Sequence, residues 1–530
     1  MRLDLPDVPN AIVPMLLKMV LTRLKRVSNN VIDVRTVIAE FFWLKKTLIN
    51  SEVNIQIDNA VILNQSEEIS FEKTLLIIDD IELYQSSKKR LQILQAESLK
   101  LQINTLSKKN QAIVQQSETT EIMVIDTVIA KESFEDYLPA GFLPLLMKYA
   151  QQRDLFSLFN HLNFFSKEVE YTHLDKIKTI LAAIACGCAY TKDINYKLKP
   201  YQGTARMLGL NSFPDQSQIN RFLREFTFQN LSELDLVFNE SIRLFYPRKK
   251  IDVLDVDATG LVAQGKTYEG NKKGYVTEKQ GVRGYQLMLG YAHDYIFANF
   301  LDPGNTNAGA RFWDSYYTVA ETIGRENIKI VRADGIHGTG SNIQELIEIN
   351  QPFIIRGYHP KTAKKFSKGI PEYEWSSFEN GVKICDIGWQ RITNCKYPVR
   401  VILQRYFKPK KAKTIYRHLY TNIDGIKDDE AVWLYNGRVD IESMIDAQKN
   451  GIYIRKLKTR NYKGIKAFIY FACIVHNLIT AFRQDVLSKI GLGNSGIKEI
   501  TRKLMDIPAK IGDKNEIIFP ESHPMIRRIF

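Results

Sequence analysis

Cysteine is scarce in this chain: five in 530 residues, at positions 186, 188, 385, 395 and 473. None forms a Cys-x-x-Cys pair, and the eight histidines include no pair at zinc-finger spacing. A disulfide framework and a structural zinc site are both disfavoured, and a reducing compartment is expected. The sequence also lacks an apolar run long enough to cross a bilayer comfortably. Its longest, Ile177–Tyr190 and Phe468–Phe482, are broken by polar groups and read as buried helices. The opening residues, MRLDLPDVPN, contain no basic stretch leading into an apolar core, so no secretory leader is expected. These absences describe a cytoplasmic protein with no membrane partner.

Positive charge, by contrast, is in excess. Lysine and arginine number 73 against 59 acidic residues, a net charge of +14. A surplus of that size favours polyanionic partners, nucleic acid or an anionic membrane surface. With 45% hydrophobic and 25% charged residues the composition is that of a folded chain. The length exceeds what one core serves, so about two to four domains are expected.

Along the chain the patterning changes several times. Residues 1–135 are the least readable; Ile81–Gln116, free of glycine and proline, reads as one long helix. Residues 136–248 are helical, with helical periodicity in Phe142–Gln151, His173–Tyr190 and Leu231–Leu244. Within them Thr204–Leu208, a glycine-containing turn and Asp215–Phe226 suit a helix-turn-helix. Asp215 would be the N-cap, and Arg221 and Arg224 would face DNA. An ordinary helical hairpin is the alternative.

Residues 249–356 alternate strands (Lys250–Asp257, Tyr285–Ala292, Ile296–Leu301, Ile328–Ala333, Pro352–Arg356) with helices (Ala308–Gly324, Ser341–Asn350). Hairpin strands followed by alternating elements imply a mixed sheet covered by helices. Residues 357–430 have β periodicity in Val382–Trp389, Pro398–Phe407 and Ile415–Ile423, and carry the basic run Lys408–Lys413. Residues 431–490 hold a charged helix, and residues 491–530 form a C-terminal tail, read with its approach as a helical segment.

That charged helix carries Tyr435, Arg438, Glu442 and Lys449. At about 100° per residue the four fall on one helix face. Its carboxylate lies between two cations and a phenol, an arrangement that can hold a metal ion and grip phosphates beside it. An i,i+4 ion pair between Arg438 and Glu442 is the plainer reading. Two-metal phosphodiester cleavage needs carboxylates from separate elements converging on cations about 3.5–4 Å apart. Asp257, at the end of the first strand, and Asp334, after Ile328–Ala333, stand at suitable places. Asp255 shares a strand face with Asp257 and could take its place or support it. His337 could order a water or a phosphate.

The pattern Y-x2-R-x3-E-x6-K resembles the signature of DDE transposases from bacterial insertion sequences. Asp257-Ala-Thr259 is similar to that group's first acidic motif and Arg332-Ala-Asp334 to its second. The resemblance covers about residues 138–530. It implies a multidomain α+β protein: a helical N-terminal region, a ribonuclease-H-like mixed-sheet catalytic core interrupted by a β-rich insertion, and a helical C-terminal segment. The core would occupy residues 249–356 and 431–490.

It further implies Asp257, Asp334 and Glu442 as catalytic ligands of two Mg2+ ions, with Mn2+ able to substitute. Tyr435, Arg438 and Lys449 would grip DNA. Trp375 and Trp389 are the candidates for stacking on a flipped base, with a place in the core as the alternative for each. The partner would be double-stranded DNA, as terminal inverted repeats and target, bound by a dimer assembled on the ends. The activity implied is end cleavage and strand transfer of a 3′-hydroxyl. The alternatives are a catalytically retired transposase acting as a DNA-binding regulator, and another ribonuclease-H-like nuclease.

Overall fold

The structure, a computed structural model, describes residues 140–530 apart from 165–169, 201, 249, 275, 277–280, 410–411, 512–515, 522 and 530, and the backbone of five short strands before residue 131. The chain divides into two units, Met1–Glu121 and Ile122–Phe530. In the first, Leu3–Asp4 pairs with Gln56–Ile57 and Val31–Ile32 with Ile69–Ser70, both antiparallel. The long helix read over Ile81–Gln116 lies outside the described residues.

The second unit begins earlier than the 135/136 boundary suggested by composition. Thr127–Ala130 runs parallel to Ile517–Pro520, which pairs in turn with Lys510–Ile511. The tail is therefore partly a strand where a helix was expected. Ile517 and Phe519, fully buried at alternate positions, explain the preference.

Ten strands form one continuous sheet. In chain order they are β1 Ile251–Val262, β2 Lys272–Gly274, β3 Val282–Ala292, β4 Tyr295–Pro303, β5 Ile328–Ala333, β6 Phe353–Arg356, β7 Ser376–Ser377, β8 Lys383–Gln390, β9 Val399–Lys408 and β10 Lys413–Thr421. Their order across the sheet is β7-β8-β9-β10-β6-β5-β1-β3-β2, with β4 paired to β3. Only the β1–β5 and β5–β6 pairings are parallel. The strands of residues 357–430 do not form a separate body: β10 adds antiparallel to β6 and extends the sheet. Sequence periodicity located these strands but carried no information on their partner.

The helices that matter here are α1 Phe142–Gln152, α2 His173–Ala185, α3 Gln216–Glu225, α4 Phe228–Phe245, α5 Phe312–Ile323, α6 Gly340–Glu348, α7 Asp428–Asn436, α8 Val439–Asn450 and α9 Tyr462–Asp485. Local chemistry sets their starts. Thr172 with Asp175, and Thr227 with Asn230, close capping boxes on α2 and α4, and Asp215 caps α3 through the Ser217 and Gln218 amides. On α3, Ile219, Phe222 and Leu223 are buried while Arg221 and Arg224 face outward.

Helix α9 is apolar enough in length and composition to cross a membrane, yet 94% of that window is buried inside the protein. It packs against α2, α3, α4 and strand β4. A second, smaller core lies on the other side of β5–β6, where Ile354, Ile384, Ile402 and Leu419 of the sheet meet Ala431 and Val432 of α7. One short helix thus covers strands of both the first sheet segment and its extension.

The end of α9 nearest β4 solves a backbone problem. Ile296 donates its amide to Asn477 Oδ1 at 2.8 Å and its carbonyl accepts from Asn477 Nδ2 at 2.8 Å. Asn477 is fully buried. Replacing it by leucine strands a buried amide and a buried carbonyl, each worth about 1–3 kcal/mol. Asn477→Leu is expected to lower stability by roughly 2–4 kcal/mol, read as a drop in melting temperature; an unchanged melt would mean that water reaches this edge.

Candidate active site

Register places the acidic residues before any side chain is considered. Ala333 of β5 aligns with Val256 of β1 and with Ile355 of β6. The next residues on these three strands are Asp334, Asp257 and Arg356, so they form one row on one sheet face. That face is the one α7 and α8 cover, since Arg332 and Ile354 lie on it and Ile354 packs against α7.

The expected single helix bearing Tyr435 to Lys449 is bent into two. Helix α7 ends at Asn436 and α8 begins at Val439, with Arg438 at the junction. The cause is Arg332. Its Nη1 donates to the Leu434 carbonyl, the acceptor that the Arg438 amide would use in a continuous helix. The Arg438 amide turns to Tyr435 O at 3.0 Å instead, tightening the turn. Gly437 makes room, because a Cβ there would lie 2.6 Å from Arg332 Nη1.

Arg332 is itself fixed by Asp255. Nε meets Oδ1 and Nη2 meets Oδ2, both at 2.6 Å, with both side chains buried. Burial pushes the Asp255 carboxyl up and the guanidinium opposes it. Each Asp255 oxygen accepts from Arg332, so in this structure the residue anchors β1 to β5. Sequence spacing alone left Asp255 and Asp257 indistinguishable, because the distinction depends on the neighbouring strand.

At the bend Arg438 reaches into the acidic row. Its Nη2 lies 2.7 Å from Asp257 Oδ2 and its Nη1 3.2 Å from Glu442 Oε1. Asp257 is largely buried, with Oδ1 accepting from the Ala258 amide at 2.9 Å. Burial pushes its carboxyl up to about 6; Arg438 opposes this, while the charges of Asp334 and Glu442 add to it. The three carboxylates therefore share one electrostatic site. Glu442 is mostly exposed, at 64%. Asp334 accepts from the Ile336 amide at 3.0 Å.

Lys449 is half-buried; burial lowers its ammonium and Asp257 raises it. Tyr435 is half-buried, its phenol raised by burial. The four residues of the sequence stripe thus all reach this region.

His337 is fully buried, its Nε2 3.8 Å from Asp334 Oδ1 and its ring stacked on Phe312 at 5.2 Å. Burial lowers it to about 4, so it is neutral at pH 7. Neither ring nitrogen has a hydrogen-bond partner among the described residues. The tryptophans separate. Trp375 is 6% exposed and lies under the Arg405 guanidinium at 4.1 Å, which closes it to a base. Trp389 is 52% exposed at a cleft it shares with Asp386, Arg400 and Lys427.

Among the described residues no three His, Cys, Asp or Glu side chains stand as a ready-made metal cage. Arg438 lies between Asp257 and Glu442 and supplies the positive charge. The donor chemistry nevertheless fits a hard divalent cation, since all three acidic groups offer carboxylate oxygens and their mutual repulsion favours a cation.

Two tests follow. A folded carboxyl raised to about 6 binds protons more tightly than its unfolded counterpart near 3.9, so stability falls as pH rises from about 4 to 6. In EDTA, Asp257→Asn should match wild type near pH 4 and melt higher at pH 7.5, by roughly 1–3 kcal/mol; a lower melt at pH 7.5 would show that the Arg438 pair dominates. Asp255→Asn leaves a buried guanidinium uncompensated and should destabilise by about 3–5 kcal/mol, whereas Asp255→Leu with Arg332→Met should recover most of that. A double variant no more stable than the single one would refute the pairing.

Residues 145–527 match the family described as transposase DDE domain group 1. Comparison with curated proteins returns no match. Among solved structures, a cryo-EM structure of the piggyBac transposase synaptic complex with hairpin DNA aligns with a TM-score of 0.38 and 17% identity, over 68% of this chain and 78% of that one. That likeness is too remote to bear on the site. The family match spans most of the chain, and the protein is a member of the transposase DDE domain group 1 family.

Proposed function

We propose that this transposase cleaves DNA at the ends of a mobile element and joins the freed 3′-hydroxyl to target DNA, using a ribonuclease-H-like core. The observation that carries this reading is the row Asp257–Asp334 with Glu442 facing it across Arg438. Binding DNA alone needs no cluster of carboxylates beside phosphates, and such a cluster weakens affinity when uncompensated.

Asp257, Asp334 and Glu442 would hold Mg2+, as two ions, with Mn2+ substituting. When bound, these ions activate the attacking oxygen and stabilise the leaving one. The chain's own contribution is positional. Arg438, with its fork aimed into the site, would bind the phosphate by two parallel hydrogen bonds, and Lys449 would add a point charge behind it. Tyr435 would orient the same strand through its phenol. Trp389, exposed on the sheet extension, would stack a displaced base. Arg221 and Arg224 on α3 would contact the element end, and two chains would assemble on paired ends.

The test is excision from a plasmid carrying the reading frame with its native flanks, with purified protein and Mg2+. Wild type should excise the element and Glu442→Gln should not, while both bind the flanks. Binding without cleavage by either protein would identify a retired transposase that acts as a regulator; excision by Glu442→Gln would remove Glu442 from the site.

A further inference from the structure

The acidic row continues into a cationic one. Arg356 stands next to Asp334 in that row, at the end of β6. It pairs across to Leu419 of β10, and Arg417, two residues earlier on β10, lies on the same face. Opposite Arg417 on β9 is Gln404, itself opposite Ile384 of β8. Ile384 and Leu419 both pack under α7, which confirms that all these residues share the α7 face. Tyr435, on the last turn of α7, is packed against that cluster, and the charges of Arg356 and Arg417 both act on its phenol.

Two side chains in this row, Arg417 and Gln404, have a buried donor without a partner, and the half-buried Arg356 beside them has no ion pair among the described residues. Arg332, Arg400, Arg405 and Arg438 each pair with a carboxylate. Neither Arg356 nor Arg417 has an ion-pair or hydrogen-bond partner for its side chain among the described residues. Arg417 lies over the Tyr406 ring at 5.1 Å, and its Nε is buried and unpartnered. Gln404 is 6% exposed, and its Nε2 is likewise buried without a partner. Unsatisfied donors cost free energy, so a cluster of them on one face asks for an acceptor. Uncompensated guanidinium groups specify an anion, and their fork suits phosphate oxygens.

We propose that Arg356, Arg417 and Gln404 form a phosphate-binding track that carries the DNA strand away from the scissile bond. The inference rests on the function proposed above and adds to it a route for the strand. Strands lie about 4.8 Å apart, so Arg356 stands roughly 5 Å from the Asp334 strand and Arg417 about 10 Å from it. The strand leaves the acidic row past Tyr435 and crosses the sheet extension toward β9. The extension that continues the catalytic sheet thereby becomes part of the substrate path.

The probe is a labelled duplex cut from the DNA flanking the reading frame, titrated with the full chain by fluorescence anisotropy from 50 to 300 mM salt. Arg356→Gln and Arg417→Gln should each lower the slope of log affinity against log salt by about one, and together by about two. Gln404→Leu should leave the slope unchanged and weaken binding several-fold.

A second measurement does not depend on the arginine variants folding. Gln404→Cys should attack a duplex bearing an activated disulfide tether on a phosphate next to the element end, forming a mixed disulfide and releasing the tether's leaving thiol, and wild type should not. Unchanged slopes in the arginine variants, or no added cross-link, would overturn the track while leaving the cleavage reading intact. A wild-type chain with no salt-dependent DNA binding would overturn both.

Discussion

The buried pair of Asp255 and Arg332 is the contact on which the site's geometry depends. It joins β1 to β5 two residues before the acidic residue on each strand, so it sets how those strands sit relative to each other. The same guanidinium takes the Leu434 carbonyl and ends the regular helix there. One side chain therefore fixes the sheet and the helix that together hold the three carboxylates. A buried ion pair is weak evidence for net stability, but its geometry can specify a single arrangement. Here that arrangement is a helix bend at a residue, Arg438, that must point inward.

The second constraint is continuity of the sheet. Because β10 pairs with β6, the side chains of the 357–430 segment fall into rows begun by β1, β5 and β6. An insertion folded as a separate body could shift or rotate with respect to the acidic residues. Strands hydrogen-bonded into the same sheet cannot, and α7 clamps the joint through Ile354, Ile402 and Leu419. The charge pattern along one face, acidic at β1 and β5 and cationic at β6 and β10, is thus a property of a rigid surface.

Much of this was legible in the sequence, and the parts that were not share a cause. Strands Ile328–Ala333 and Phe353–Arg356 were readable almost to the residue because short apolar runs there end in charged or glycine-rich turns. Spacing also brought Tyr435, Arg438, Glu442 and Lys449 to one region correctly. Spacing could not show the bend between α7 and α8, because Asn436-Gly437 breaks no periodicity and the disruptive group, Arg332, comes from a strand about a hundred residues earlier. For the same reason Asp255 and Asp257 looked alike by spacing, and nothing in the local pattern singled out Arg356 or Arg417. What is missing in each case is the identity of the neighbouring strand, which local pattern does not encode. The strand at Ile517–Pro520 was missed because its partner lies near residue 128.

The electrostatics of the acidic site follow from that rigidity. Asp257 is held largely out of water beside two other carboxylates, and its raised proton affinity measures how unfavourable its charge is there. Arg438 relieves only part of this, since it is shared between Asp257 and Glu442 and its Nε is buried without a partner. A flexible site would relax by swinging Glu442 or Asp257 into solvent. Asp257 has no such freedom on a central strand anchored two residues earlier by Asp255. Glu442, on α8, is the most exposed of the three carboxylates. The site is therefore built from two acids at adjacent strands and one mostly exposed acid on a helix, with Arg438 between Asp257 and Glu442.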